Sequence, residues 1–140
     1  MENKSNKGRL LFLLRYLQQN TDDHHLVTTP ELLSVLETAG YPADRKTLYD
    51  DIHVLKEDFD IDIITEKHRG NEYFVGAREF ELPELKLLID AVASSRFISA
   101  RESRKLIDKL SSQASVWQKK DLEPRITIGE RVKASETRIY

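Results

Sequence analysis

Arg45, Lys46 and Thr47 stand directly behind Asp44, and Tyr49 and Asp50 follow within one helical turn. Arginine and lysine offer donors to phosphate oxygens and to the acceptor edge of guanine. Threonine can contact a phosphate or a thymine methyl, and a carboxylate can accept from a cytosine amino group. A second basic cluster, Lys67, His68 and Arg69, precedes Gly70. These types and spacings suit the binding of an anionic polymer. They do not suit bond making: the sequence has no Gly-rich phosphate loop, no zinc-protease histidine pair and no recognisable nucleophile motif. No enzyme activity, no catalytic residue and no cofactor are therefore expected. The run TDDHH, residues 21–25, crowds two aspartates and two histidines together. Adjacent ligands rarely converge on one ion, so it reads as a polar link between helices, and no metal is expected.

The elements that would position these residues follow from periodicity. Leu10, Leu13, Leu14 and Leu17 mark one face of a helix over residues 9–19. Thr28 and Glu31 have capping-box spacing, Pro30 falls in the first turn, and Leu32, Leu33 and Leu36 form the next apolar face before Gly40 ends it. After the short link of Tyr41, Pro42 and Ala43, Asp44 can cap a third helix whose inward stripe is Leu48, Ile52 and Leu55. At about 100° per residue, Lys46, Asp50, His53 and Glu57 then point outward, with Arg45 and Tyr49 on one flank and Thr47 on the other. Asp51, at the edge of the inward face, is expected in a structural ion pair or helix-end contact.

After Phe59 the period changes from 3.6 to 2. Ile61, Ile63 and Thr65 alternate with Asp62 and Ile64, residues 67–71 supply a turn, and Tyr73, Phe74 and Val75 run back as a hairpin. Three helices with a tight link between the second and third, then a hairpin, are the order of a winged helix-turn-helix. In such a unit the start of the third helix enters the major groove, where its free amides and dipole also favour phosphate. Two further helices are marked by Leu85, Leu88, Ile89 and Val92, and by the Ser99 and Glu102 capping box ahead of Leu106, Ile107 and Leu110. They form only a helical hairpin and need a partner surface. Residues 116–140 show no sustained period.

Composition sets the bounds. A chain of 140 residues, 39% hydrophobic and 33% charged, holds one core of ordinary size with an appendage. Cysteine is absent, which removes disulfides and thiolate chemistry and is compatible with a reducing compartment. The apolar run of residues 10–14 is too short for a signal core or a membrane span, so a cytoplasmic location and no membrane partner are expected. The net charge of -2 hides an asymmetry: residues 1–76 carry 9 Lys and Arg against 14 Asp and Glu, a balance of -5, and residues 77–140 carry 13 against 10, a balance of +3. Nucleic-acid binding would thus depend on local placement of charge rather than on bulk attraction.

The run DRKTLYDDIHVL, preceded by YPA and followed by DFDIDIITEKHRGNEYFV, resembles the N-terminal winged domain of the WYL-domain transcriptional regulators, themselves similar to the DeoR-type helix-turn-helix. The resemblance covers most of residues 8–115. It implies that residues 44–58 are the DNA-reading helix, with Arg45, Lys46, Thr47 and Tyr49 in groove-facing places, and that Lys67, His68 and Arg69 form the wing tip. In one departure, Tyr49 and Asp50 stand before Asp51 where DeoR-like proteins often have two arginines. The ligand-sensing WYL domain is also not in this sequence. The closing SETRIY resembles the lead into it, so the chain is either a truncated form or a naturally short regulator. A small-molecule or nucleotide effector would act only through that absent C-terminal domain.

The expected architecture is mainly α with a small β-hairpin: a winged helix-turn-helix over residues 1–76, a helical hairpin serving as linker and dimerisation segment over 77–115, and an irregular tail over 116–140. The expected function is sequence-specific binding of double-stranded DNA by a transcriptional regulator. Its contact residues are Arg45, Lys46, Thr47, Tyr49, Asp50, His53, Lys67, His68 and Arg69, with Lys7 and Arg9 forming either an arm on DNA or a solubilising tail. Asp50 either accepts from cytosine or repels phosphate. A plainer reading of Lys46 is a surface pair with Asp50 worth about 0.2 to 0.5 kcal/mol. A homodimer is expected through the apolar faces of the fourth and fifth helices. Trp117 and Phe97 are expected to pack in that segment. The alternative function is a winged protein-docking module, motivated by the -5 balance of residues 1–76.

Overall fold

The computed structural model describes residues 4–139. The chain is mainly helical with a small three-stranded antiparallel sheet. It divides into two compact units, one ending at Ala77 and the other beginning at Arg78.

The first unit opens with α1 (Asn6–Asn20), capped where Ser5 Oγ accepts from the Gly8 amide at 3.1 Å. Leu13 and Leu17 on its inner face are fully buried. A short strand β1 (Val27–Thr28) runs straight into α2 (Thr29–Thr38), whose first turn is capped by Thr28 Oγ1 accepting from the Glu31 amide at 3.3 Å. The helix ends at Gly40, whose φ of +91° is the left-handed conformation that glycine adopts without a Cβ clash. Asp44 then caps α3 (Arg45–Glu57), and Leu48, Ile52 and Leu55 are buried as their spacing requires. Strands β2 (Ile63–Lys67) and β3 (Asn71–Val75) form the hairpin, pairing Ile63 with Val75 and Lys67 with Asn71.

Two features of this unit differ from expectation. The hairpin is part of a three-stranded sheet in the order β1-β3-β2, because Val27 and Thr28 pair with Tyr73 and Glu72. A two-residue strand is too short to carry a period, so nothing in the sequence distinguishes it from a loop. The alternation expected along Ile61, Ile63 and Thr65 also stops early: Ile63 is buried, but Ile64 to Lys67 are exposed, since β2 extends away from the core. The core joins α1, α2, α3 and the sheet through Leu13, Leu17, Leu32, Leu48, Ile52 and Tyr73, among others. Thr21 ties α1 to β3: its hydroxyl donates to the Leu17 carbonyl at 2.6 Å and accepts from the Val75 amide at 3.0 Å.

The second unit contains α4 (Leu82–Ser94), α5 (Ala100–Ser111) and α6 (Val116–Ile139). α4 begins with a reciprocal capping box between Glu81 and Glu84, and α5 is capped by Ser99, whose Oγ accepts from the Glu102 amide at 3.1 Å. The expectation of an irregular tail over 116–140 is corrected by α6. Its inward stripe, Leu122, Ile126, Gly129 and Lys133, has helical spacing, yet a glycine and a lysine occupy two of the four places. Exposed Ile128 and Val132 further blur the apolar contrast, and Pro124 reads as a breaker. Gly129 is required by contact: a Cβ there would lie 2.7 Å from the Ala93 Cβ, so α4 and α6 meet with no room for a side chain. Leu85, Ile89, Ala93, Ile107, Ala114 and Leu122 form the core of this unit. The inner faces of α4 and α5, expected to serve as a dimer contact, are thus occupied by α6 of the same chain. Phe97 and Trp117, expected to pack, are 100% and 39% exposed.

Candidate nucleic-acid interface

The start of α3 is built by its cap. Asp44 Oδ1 accepts from the Thr47 amide at 2.8 Å, satisfying one of the unpaired donors of the first turn. This bond, aided by a hydrogen bond from the Thr47 side chain and the charge of Lys46, holds the Asp44 carboxyl below the usual aspartate range. The cap fixes the helical phase at its first residue. Arg45, Lys46, Tyr49, Asp50 and His53 are therefore exposed, while Thr47 is half-buried.

An open groove of about 400 Å³ lies beside this helix. One wall is Arg45 and Tyr49 of α3, another is Thr28, Thr29 and Pro30 at the start of α2, and the third is the hairpin turn with Arg69, Gly70 and Asn71. Glu72 also lines it. Of the residues singled out in the sequence, three from two separated clusters thus meet at one surface: Arg45, Tyr49 and Arg69. Neither arginine makes a hydrogen bond or an ion pair among the described residues. Lys46, Thr47, Asp50 and His53 lie on α3 but do not line the groove, and Lys67 and His68 sit on the exposed end of the hairpin. His68 Nε2 is 3.3 Å from Glu66 Oε2 and 3.7 Å from Glu72 Oε2, so the end of the hairpin carries carboxylates beside its basic residues.

The threonines of the α2 start and Asn71 were not recognised in the sequence as site residues. Their signal was present but local: Thr28 reads as a cap and Asn71 as part of a turn, and only the β1–β3 pairing brings them beside α3. Thr29 is held there by its hydroxyl, 3.3 Å from the Tyr73 hydroxyl.

Arg9 requires a correction. Its Nε donates to Asp51 Oδ2 at 2.6 Å, its Nη2 to Asp51 Oδ1 at 3.2 Å and its Nη1 to Asn6 at 2.8 Å. The two side chains of the ion pair are 14% and 13% exposed. The hydrogen bond to Asp51 raises the guanidinium pKa above its already high value, against the opposing effect of burial. Arg9 is therefore committed to joining α1 to α3 rather than forming an arm, and Asp51 takes the structural role expected of it. Lys7 is exposed and does not line the groove. Lys4 donates to the Ala39 carbonyl at 2.9 Å and lies over the Tyr41 ring, 5.0 Å from its centroid.

In the 21–25 run, Asp22 is buried and its Oδ1 accepts from the His24 amide and approaches His25 Nδ1, both at 2.9 Å. Together with an Asp22–His25 backbone bridge, this makes the run a braced turn. Among the described residues, no group of three or more His, Asp or Glu side chains is disposed to hold a metal ion. None of the described helices is long and apolar enough to cross a membrane.

Comparison of the chain with protein-family models, with curated proteins and with solved structures found no match.

Proposed function

We propose that this chain binds double-stranded DNA sequence-specifically as a winged helix-turn-helix, and that it is the DNA-reading part of a transcriptional regulator. In this reading α2 and α3 are the helix-turn-helix, α3 enters the major groove, and the β2–β3 hairpin is the wing. The observation that carries the reading is the convergence of Arg45 and Arg69, both without an acidic partner, on one open groove. An exposed cation without a carboxylate partner keeps its full capacity to pair with phosphate or a guanine edge. Arg45, Lys46, Thr47 and Tyr49 at the start of α3 read the major groove. Arg69 and Lys67 bind the backbone or minor groove at the wing. The resemblance of residues 8–115 to the WYL-type regulators points the same way.

A second reading, docking onto a basic protein, is favoured by the -5 balance of residues 1–76 and by the carboxylates Glu66 and Glu72 at the wing. The two readings separate in one experiment. Duplexes selected from a random library by the wild-type chain are expected to share a motif. The Arg45→Ala variant is expected to lose about 1 to 3 kcal/mol of binding to that site and to relax the preference at one base pair. Arg69→Ala is expected to weaken all sequences alike. Absence of enrichment by the folded protein, or unchanged affinity in both variants, would sink the DNA reading.

A further inference from the structure

The positive charge of the second unit is gathered in one place. Residues 77–95 carry 2 Lys and Arg against 4 Asp and Glu, residues 121–140 carry 4 against 4, and residues 96–120 carry 7 against 2. The excess of the whole unit therefore comes from the stretch that holds α5, in a chain whose net charge is -2. An ordinary solvated helix intersperses the two signs along its outer face.

The phase of α5 sorts these charges. Ser103, Ile107 and Ser111 are buried, and Ile107 joins the core of the unit with Leu110 packed against it. Arg101, Lys105 and Lys109 follow one another at four-residue spacing, all three exposed, and so form a row on the opposite side with about 6 Å between neighbours. Glu102 and Asp108 fall on either side of the row rather than in it. Arg101 and Lys109 make no hydrogen bond or ion pair among the described residues. The pair of Lys105 with Glu102 is 3.7 Å long, with both side chains more than half exposed, where solvent screens it. Three like charges within a Debye length of one another repel, and a polyanion relieves that repulsion.

We propose that this row is a second polyanion-binding surface and that its partner is the phosphate backbone of double-stranded DNA. The inference rests on the reading of the first unit as a DNA binder and adds a sequence-independent contact from the second unit. Charge complementarity selects the partner. A polymer of evenly repeated phosphates releases counterions for each cation it meets, so a row of cations is favoured where an isolated one gains little. Two of the three cations are lysines, compact point charges suited to phosphate rather than to bidentate reading of a base edge. A lipid surface asks for a different helix. One lying in a membrane interface buries an apolar face beside its basic residues, whereas the apolar face of α5 is packed into the core shared with α4 and α6.

The test is fluorescence anisotropy of a labelled duplex of scrambled sequence, titrated with the whole chain across a salt series. The wild type is expected to bind it. The triple variant Arg101→Gln, Lys105→Gln and Lys109→Gln is expected to make the dependence of log binding constant on log salt shallower by about 2 to 3. Its melting temperature should not fall, because the three side chains are exposed and glutamine suits a helix interior. The charge-preserving variant Arg101→Lys, Lys105→Arg and Lys109→Arg should keep the wild-type slope. Base preference at a selected site, which Arg45→Ala tests, should be unchanged in both triple variants, so the two readings can fail separately. No binding of the wild type to the scrambled duplex at low salt, or an unchanged slope in the glutamine variant, would overturn the proposal. So would loss of binding to phosphatidylserine vesicles in the glutamine variant with its duplex slope intact, which would assign the row to a lipid surface.

Discussion

At Asp44 one carboxylate decides where α3 begins and therefore which way Arg45 and Lys46 face. Its bond to the Thr47 amide exists only in the folded chain, so folding lowers its pKa. The native state therefore binds the proton less readily than the unfolded chain. The cap's stabilisation is thus complete above the unfolded carboxylate range and is lost as pH falls through the lower native value. Asp44→Asn keeps an N-cap acceptor without a titrating charge. Its thermal stability is expected to fall less steeply than that of the wild type as pH drops below about 4. Parallel acid profiles for the two proteins would show that this cap does not contribute to the acid limb. The Asp44 charge also sits behind Arg45 and Lys46, which weakens the local positive potential even as it sets their direction.

Among elements, the decisive joint is between α1 and α3. Apolar packing of Leu13, Leu17, Leu48 and Ile52 brings the two helices into one core, and the bidentate Arg9–Asp51 pair adds a directional contact at their margin. Because both side chains are mostly removed from water, deleting one partner leaves the other poorly solvated. Asp51→Ala is expected to cost about 3 kcal/mol of unfolding free energy, measurable by urea denaturation. A loss no larger than that of an ordinary surface substitution would mean that solvent reaches the pair in solution. The same joint accounts for a misassigned residue. Arg9 reads in the sequence, with Lys7, as a basic residue near a terminus, and its partner lies 42 positions away.

For the molecule as a whole, a net charge of -2 means that no long-range attraction draws it to a polyanion. Any affinity for DNA rests on the few cations that reach phosphate. If Lys67 and Arg69 at the wing displace counterions, the logarithm of the binding constant should fall with the logarithm of salt with a slope of roughly -2 from these contacts. The Arg69→Ala variant should reduce that slope by about 1, whereas Arg45→Ala, at a base edge, should leave it nearly unchanged. A wild-type slope near zero would remove phosphate contact from the mechanism.

Much of the helical skeleton was determined by the sequence alone, because caps and apolar periods are local. Ser99 with Glu102 and Asp44 ahead of Thr47 fall within one turn of each other, and the stripes Leu13–Leu17 and Leu48–Ile52–Leu55 need no distant information. The exposed face of α3 followed from the same local phase. What the tertiary structure decided involves partners far apart in the chain. β1 is a strand only because β3 accepts it, and through that pairing the α2 start and Arg69 come to face Arg45 and Tyr49 across one groove. α6 is stabilised by contacts its sequence disguises: a glycine that fits against Ala93 and a lysine whose ammonium reaches the α4–α5 turn. Neither residue adds to an apolar stripe, so periodicity cannot detect them. Their role exists only where another helix supplies the surface.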